Sequence, residues 1–403
     1  MEKQNTIHPE VKFPLILIHT PFGIRFFDRI AKTKAARIYA RSNKYLMPVI
    51  TGLAMFLIIG SLMIIASNAP AREASRDLGP RSIFLIPGIN PYLPWTYALV
   101  SLIITIVIHE AGHGIVARVH NVKIESTGIV LFLIIPIGAF VNIERHELEK
   151  TPLKYKSAIL TAGPLNNMIV AALSLLGLYL VVSSLSPLPV SEGQEIGLQI
   201  SGVNKNSLAE KIGLTEGSVI QTISGQNVRS VEDLRKVLQS NLGKTIEIIW
   251  YDKGKHLDRD YIALPRSVEE NKGILGVTLN NPISSDPKVV LDRYKSMGAN
   301  WLMPPTIQQG IVPYSDLMAH KYDSSIFGTS FPIVANMLFW LWFINFNVGI
   351  FNALPIGPLD GGQWYGSLIA SRTKEKTGIA INNLLTSLMV LVVLMAIILP
   401  YIL

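Results

Sequence analysis

The chain has 403 residues, enough for more than one structural unit, and carries a net charge of +8. Hydrophobic residues form 49% of it and charged residues only 16%, against about 25% in soluble domains, so the composition indicates a membrane protein. The absence of cysteine excludes disulfide bonds, thiol catalysis and cysteine-ligated metals, and basic residues clustered beside apolar runs favour an anionic membrane surface over nucleic acid as their partner.

The N-terminal region, residues 1–46, is basic and contains an apolar patch, 13–18, that is too short to span a bilayer. Residues 47–67 carry no charge and match the roughly 20 residues that a spanning helix needs. The lysine and arginine excess before this extra span predicts a cytoplasmic N-terminal region. A cleavable signal peptide is not expected, because the first long apolar run begins only near Met47.

The second predicted span covers about 96–117 and follows a polar connection rich in proline and glycine. The next apolar run, 127–143, is marginal for a span and is interrupted by Pro136 and Gly138. It therefore suits a hairpin or a re-entrant loop that packs against protein. A third span is predicted at about 157–184.

Residues 190–283 combine short β-rich runs, turns and many charges, a pattern typical of a small soluble domain. Residues 284–325 are polar and irregular and receive no assignment. Two further spans are predicted at about 330–351 and 379–402. The sequence thus predicts an α-helical polytopic membrane protein of about five to six spans plus a re-entrant hairpin, with an inserted small β-rich domain. Alternation of the spans places that domain outside the cytoplasm.

The second span contains His109-Glu110-Ala111-Gly112-His113, an H-E-x-x-H motif. On a helix its two histidines lie on one face, where both can bind one zinc, and the glutamate between them can activate water. Composition alone produces this motif by chance in roughly one chain in a hundred of this length. Its position inside a span weighs against chance, because ionisable groups are costly in the membrane and mark functional sites.

A catalytic zinc needs a third protein ligand and an open position. Asp360 is the candidate, because it follows the fourth span in a segment, residues 352–362, whose prolines and glycines interrupt the helix. The remaining histidines lie before the first span or in loops and the inserted domain. By spacing alone, however, an ordinary capped helix end with a turn explains Asp360 better than a metal site does.

The motif residues suit a zinc-dependent metalloprotease, and two rival functions remain compatible with them. A transporter or proton relay also uses buried His, Glu and Asp, although no paired repeat of broken helices is visible. A catalytically inactive scaffold that binds peptides through the inserted domain is the other, and the intact Glu110 argues against it. Stoichiometric zinc in the purified protein distinguishes the metalloprotease from both rivals.

Three motifs stand in order along the chain: H-E-x-x-H at 109–113, G-P-x-x-N at 163–167, and N-x-x-P-x-x-x-L-D-G-G at 352–362. Over about residues 96–378 the chain resembles the site-2 protease family of intramembrane zinc metalloproteases. The resemblance implies one zinc per chain, with His109, His113 and Asp360 as its ligands. It also implies that Glu110 is the catalytic base.

The resemblance also assigns two asparagines and the apolar hairpin. It implies that Asn167 and Asn352 bind the substrate or the reaction intermediate. Without the family, Asn167 fits a hydrogen bond between spans equally well. Residues 127–143 correspond to the family's membrane-reentrant hairpin, which is expected to clamp a substrate as an added strand.

The inserted domain, residues 190–283, resembles the PDZ domains of bacterial-type proteases in runs such as Gly217-Ser218-Val219-Ile220 and Ile223-Ser224-Gly225. It is expected to bind a peptide or a substrate ectodomain, to act as a size filter, or to be a spacer. It divides the predicted membrane catalytic core into two parts, 96–184 and 326–403, the second of which follows the connecting segment 284–325.

The resemblance implies substrates and a location. The expected substrates are transmembrane segments of membrane proteins, which another protease can cut first, as in regulated intramembrane proteolysis. A multi-pass protein of the cell membrane is expected, with a cytoplasmic N-terminus and an extracytoplasmic PDZ-like domain. Because the helix rises about 20 Å between Thr96 and His109, the site is expected inside the bilayer towards its cytoplasmic side. The lipid bilayer is an expected partner and nucleic acid is not.

Overall fold

The protein forms two compact units, which are described separately. The computed structural model describes residues 8–132, 135–188, 197–228, 231–252, 256–266, 274–279, 287–296 and 298–403. The first unit combines Met1–Leu176 with Met337–Leu403, and the second is Gly177–Asn336. The first unit therefore contains all three motifs of the predicted metal site.

Helices and strands alternate irregularly along the chain. The helices are α1 (Phe22–Ala31), α2 (Lys34–Ser42), α3 (Met47–Ser67), α4 (Ala69–Leu78), α5 (Trp95–Val119), α6 (Arg145–Lys150), α7 (Leu153–Ser183), α8 (Leu208–Lys211), α9 (Val231–Ser240), α10 (Pro287–Ser296), α11 (Phe331–Asn352), α12 (Asp360–Ala370) and α13 (Glu375–Ile402). The strands are β1 (His8–Lys12), β2 (Leu15–Thr20), β3 (Ile124–Phe132), β4 (Ile135–Ile143), β5 (Leu185–Pro187), β6 (Leu198–Val203), β7 (Val219–Ile223), β8 (Gln226–Asn227), β9 (Thr245–Asp252), β10 (His256–Ala263), β11 (Val277–Leu279) and β12 (Tyr322–Ser324).

Five helices within the described residues are long and apolar enough to cross a membrane, which confirms a multi-pass helical protein. They are Met47–Ser67, Trp95–Val119, Leu153–Ser183, Gly328–Asn352 and Glu375–Ile402. The first begins and ends where the uncharged run predicts, and the other four differ from prediction by a few residues at their ends. Proline occurs inside α7 at Pro164, beside Gly163, at the level of the second motif.

The first unit also contains a four-stranded antiparallel sheet, in the order β1-β2-β3-β4. The hairpin predicted over 127–143 is present as β3 and β4, with residues 133 and 134 outside the described part. The hairpin β1–β2 joins it through a regular register between β2 and β3, from Leu15↔Phe132 to Thr20↔Thr127. Strands β1 and β2 were not predicted from the sequence, where the apolar patch 13–18 indicates only a segment too short to span a bilayer.

The N-terminal helices belong to the core of the first unit. Phe27 of α1 and Ala40 of α2 are buried in one cluster with residues of α5 and α7, including Val116 and Ile159. Met47 and Ile50 of α3 are buried in a second cluster. Residues before the catalytic motifs thus pack against the helices that carry those motifs.

The second unit contains an antiparallel sheet in the order β10-β9-β7-β6-β11, with β8 paired to β7. Its inner face forms an apolar core with α8 and α9, built largely from alternating strand residues: Leu198, Ile200, Ile220, Ile223, Ile246, Ile248 and Trp250. The small β-rich region predicted within 190–283 is therefore present as a sheet.

The segment 284–325, which the sequence left unassigned, contains α10, short turns and β12. Strand β12 pairs antiparallel with β5. Tyr294 and Tyr314 are fully buried, with their hydroxyl groups 3.1 Å apart, and burial raises the pKa of Tyr294 to about 12. A buried aromatic core therefore gives this polar segment its structure.

Candidate metal centre

Helix α5 presents the two motif histidines towards the protein interior. Their rings are edge to face with centroids 4.9 Å apart, and their Nε2 atoms are 3.2 Å apart. Each histidine is only 8% exposed. The four-residue spacing therefore places both imidazoles on one buried face of the helix, as predicted.

Asp360, the first residue of α12, approaches both histidines. Its Oδ2 atom lies 3.0 Å from Nε2 of His109 and 3.3 Å from Nε2 of His113. Within the described part of the chain this oxygen is buried and has no hydrogen-bond partner. Two imidazole nitrogens and one carboxylate oxygen therefore converge on a common space.

Two glycines explain how the Asp360 turn packs so closely. A Cβ atom on Gly361 would overlap the carbonyl oxygen of Ala353 and lie 2.5 Å from that of Leu354. A Cβ atom on Gly362 would overlap the carbonyl oxygen of Ile356. Glycine at both positions lets α12 begin directly against the preceding turn, with Asp360 facing the histidines.

Helix α7 closes the other side of the space. A Cβ atom on Gly163 would lie 2.6 Å from Nε2 of His109 and would overlap Nε2 of His113. In the sequence this glycine is part of the G-P-x-x-N motif, which by itself predicts no role for it. Its missing side chain keeps the space between the three converging atoms open.

The donor set and its spacing fit zinc. Two imidazoles and a carboxylate, with room for one more ligand, are typical of catalytic zinc sites. Zinc bonds of about 2.0–2.1 Å in a tetrahedral arrangement separate the ligand atoms by roughly 3.3–3.4 Å. The three observed separations of 3.0, 3.2 and 3.3 Å are close to that distance.

Contacts at the Nδ1 atoms orient the two rings. Nδ1 of His113 lies 2.7 Å from the carbonyl oxygen of Ile159, to which it donates a hydrogen bond. This leaves the lone pair of His113 on Nε2, which faces Asp360. The carbonyl of Ile159 could not have been identified from sequence, because any residue supplies one.

The side-chain amide of Asn167 lies 3.0 Å from Nδ1 of His109, and its Oδ1 atom is buried without a partner within the described residues. The two ends of an amide are nearly the same shape, and the hydrogen-bond network decides their orientation. With Oδ1 towards His109, the Nδ1–H group gains an acceptor and the buried oxygen gains a donor. The lone pair of His109 then also lies on Nε2.

Glu110 lies beside the cluster and contacts the sheet. Its Oε2 accepts a hydrogen bond of 2.9 Å from the backbone N–H of Val141 in β4. Among the described strands, β4 is at the edge of its sheet, and the edge that does not pair with β3 faces this carboxylate. The structure thus places the predicted base between the histidine helix and a strand edge.

The structure places Asn352 differently from Asn167. Its amide donates a hydrogen bond of 3.1 Å to the carbonyl oxygen of Val348 in its own helix. The prediction that Asn352 binds substrate therefore stays a prediction.

Comparison with known proteins gives a consistent result. Residues 97–396 match peptidase family M50. The chain is 25% identical over 349 residues to an uncharacterized protein of Methanocaldococcus jannaschii, covering 86% of this chain and 75% of that protein. It is 28% identical over 328 residues to a protein named as a candidate zinc metalloprotease of Campylobacter jejuni (70% and 85% covered). A similarly named protein of Clostridium perfringens is 24% identical over 348 residues (75% and 98% covered).

The family match includes the histidine helix, Gly163 and the Asp360 turn, which the structure brings together from three separate parts of the chain. It covers most of the 403 residues. The chain belongs to peptidase family M50 and is a membrane metalloprotease with zinc as its cofactor.

Proposed function

We propose that the protein is an intramembrane endopeptidase that cleaves transmembrane segments of other membrane proteins, as in regulated intramembrane proteolysis. One observation carries this proposal: His109, which supplies one of the three converging atoms, lies on α5 about 20 Å along the helix from its start, within a candidate membrane-spanning segment. The substrate's peptide bond must then reach the site at membrane depth.

In this proposal Nε2 of His109, Nε2 of His113 and Oδ2 of Asp360 bind the zinc. Bound zinc supplies Lewis acidity, which polarises the scissile carbonyl group and makes a water molecule acidic near neutral pH. The buried Nδ1 contacts hold both rings in the orientation that this requires. Asn167 acts through His109, and contact of Asn167 or Asn352 with the substrate or intermediate remains part of the proposal.

Glu110 is the general base. Its carboxylate takes a proton from the attacking water and later gives it to the leaving amine. The hydrogen bond from Val141 N–H fixes one carboxylate oxygen and leaves the other to accept the water proton. Because a polar side chain without a partner is costly in the membrane, this backbone contact also helps to accommodate Glu110 within a spanning helix.

The edge of β4 that does not pair with β3 is the proposed binding site for the substrate backbone. A helical substrate must unwind locally before hydrolysis, because its backbone groups are bonded internally in lipid. An unwound segment can pair with an edge strand. The N–H group of Val141 points from that edge towards Glu110, so a strand added there would lie beside the proposed base.

The sheet of the second unit is proposed to be the core of a PDZ-like domain that binds a peptide or a substrate ectodomain or limits access by size. Its antiparallel sheet, with two short helices and turns at Gly213, Gly217 and Gly225, all at positive φ, supports this assignment. We place this domain outside the cytoplasm and the N-terminus inside, from the distribution of lysine and arginine.

The proposed activity is tested with the full chain in lipid nanodiscs, where zinc per chain and cleavage of a substrate with a single transmembrane span are measured. Glu110→Gln is expected to retain about one zinc per chain and to lose cleavage by roughly 100- to 10,000-fold, the usual contribution of a general base. Glu73→Gln, at an exposed glutamate of α4, is the matched control and should cleave normally. Cleavage by Glu110→Gln at the wild-type rate would refute the role of this base, and cleavage of soluble peptides alone would refute an intramembrane substrate.

A further inference from the structure

Residues 22–54 lie before the part of the chain that matches the family, which begins at residue 97. The proposed function gives this N-terminal segment no role. One face of this segment is nevertheless buried in the first unit, which contains the three proposed zinc ligands. The fully or nearly fully buried residues of the segment are Phe27, Ala31, Ala36, Ala40, Asn43, Met47, Ile50, Thr51 and Ala54.

The first polar contact of this segment is Tyr39 in α2. Its hydroxyl group lies 2.7 Å from Oδ1 of Asn166 and 3.2 Å from the carbonyl oxygen of Ala162, both on α7. Burial raises the pKa of Tyr39 well above its ordinary value, so the hydroxyl keeps its proton. Tyr39 therefore donates to the part of α7 next to Gly163.

Asn166 extends this contact to the histidine helix. Its amide nitrogen donates a hydrogen bond of 3.1 Å to the carbonyl oxygen of Ile108, the residue before His109. The space between the helices is narrow here, because a Cβ atom on Gly112 would lie 2.7 Å from Nδ2 of Asn166 and 2.7 Å from the carbonyl oxygen of Ala162. Tyr39 and Asn166 thus join α2, α7 and α5 at the level of the first metal ligand.

The second polar contact is Thr51 in α3. Its hydroxyl group lies 2.7 Å from the carbonyl oxygen of Ala353 and 3.0 Å from that of Met47 in its own helix. Ala353 follows α11, and its carbonyl oxygen also borders Gly361. Thr51 therefore contacts the turn that places Asp360 against the histidines.

A third contact lies between these two. Nδ2 of Asn43 donates a hydrogen bond of 2.9 Å to the carbonyl oxygen of Ala158 on α7. Ala158 precedes Ile159, whose carbonyl oxygen accepts the hydrogen bond from His113. The segment thus contacts the backbone beside the supports of all three proposed ligands.

We infer that the N-terminal segment positions the metal ligands, with Tyr39 and Thr51 as positioning residues. Tyr39 fixes α7 against α5 beside His109, and Thr51 fixes the turn before Asp360. Both act through hydroxyl groups and neither touches the metal or the substrate. The inference rests on the proposed ligand set, and goes beyond it by making residues outside the family match part of the catalytic unit.

The variants that test it remove single hydroxyl groups and preserve shape. They are Tyr39→Phe and Thr51→Val, with Thr51→Ser as the variant that restores the hydroxyl. Tyr45→Phe removes a hydroxyl from a tyrosine that is 70% exposed. Ser61→Ala removes a hydroxyl that, among the described residues, bonds to the carbonyl oxygen of Ile58 in its own helix. The last two are the matched controls.

Three quantities are measured on the full chain in nanodiscs: the chelator concentration that removes half the zinc, kcat and KM for a single-span substrate, and Tm with and without zinc. Tyr39→Phe and Thr51→Val are each expected to lose zinc at roughly threefold to tenfold lower chelator concentration, as expected for one buried hydrogen bond. kcat falls while KM stays within about twofold of wild type, because the ligands and not the substrate site are displaced. Thr51→Ser and both controls behave as wild type.

A purely structural role gives a different pattern. Equal decreases of Tm with and without zinc, together with unchanged zinc retention, would overturn the inference. Asp360→Ala separates it from the proposed function. If that variant keeps its zinc, the ligand set is wrong. If it loses zinc while Tyr39→Phe and Thr51→Val retain it as wild type does, only the positioning role is wrong.

Discussion

The five candidate spans fall into two groups that differ in burial. Over an apolar stretch of 18 residues in each helix, the share of buried residues is 44% in α11, 39% in α5 and 33% in α7. It is 17% in α3 and 11% in α13. All five are apolar enough to cross a bilayer, and the two less buried helices are also the more apolar, with a mean hydropathy of 2.6 against 1.6 to 2.0 for the other three. Within the described residues, three helices therefore pack as an inner group, and the protein leaves most of the surface of the other two uncovered.

Glycines show the same difference at atomic scale. On the inner helices, a Cβ atom at Gly112 or Gly163 would meet neighbouring backbone or a metal-site nitrogen at 2.7 Å or less. At Gly52 and Gly60 of α3 nothing lies within 4 Å. Glycines on the inner helices therefore permit close packing around the metal centre, whereas Gly52 and Gly60 of α3 lie in open surroundings.

The largest effect is expected at Asp360, the proposed zinc ligand that lies at the start of α12, outside the three inner helices. Asp360→Ala removes one of three donors and should lower zinc from about one per chain to near zero. Activity should fall by more than about 100-fold, the upper end of losses for contacts outside the ligand shell. Zinc per chain and cleavage of a single-span substrate measure this. Asp316→Ala, at an exposed aspartate, is the control, and unchanged zinc in Asp360→Ala would contradict the ligand assignment.

Gly163→Ala tests the space between the ligands directly. Its methyl group would occupy the position between the two Nε2 atoms, so zinc content and activity should both fall by roughly an order of magnitude or more. Gly60→Ala makes the identical chemical change on an outer helix, where it should leave both quantities unaltered. Equal behaviour of the two variants would break the distinction between inner and outer helices.

Asn167→Ala should have an intermediate effect. It leaves Nδ1–H of His109 buried without an acceptor, which should weaken zinc binding or activity by roughly 10- to 100-fold. Asn347→Ala is the control, because that amide contacts the carbonyl oxygen of Phe343 in its own helix. A change in KM without any change in zinc retention would instead assign Asn167 to substrate binding.

The smallest expected effect is on the outer face of α13. Leu391 is 51% exposed, and Leu391→Ala should leave zinc content and activity unchanged in nanodiscs. A loss of cleavage with zinc retained would show that a substrate contacts this face.

Parts of the fold and of the site follow from local sequence. The five spans and the hairpin over 127–143 were predictable, because length, apolar character and interrupting Pro136 and Gly138 are local signals. The pairing of β1–β2 with that hairpin was not, because strand partners distant in sequence are chosen by packing. The aromatic core around Tyr294 was also missed, since its residues lack a regular period.

By itself the sequence determined that the chain crosses the membrane several times and that His109, Glu110 and His113 share one turn of a spanning helix. Both depend on composition and on the fixed geometry of a helix. Only the tertiary structure decided that Asp360 meets the histidines, that Gly163 leaves space for a metal, and that Tyr39 and Thr51 contact the supporting backbone. The physical reason is that these groups come from separate helices, whose approach is set by side-chain volume and buried hydrogen bonds.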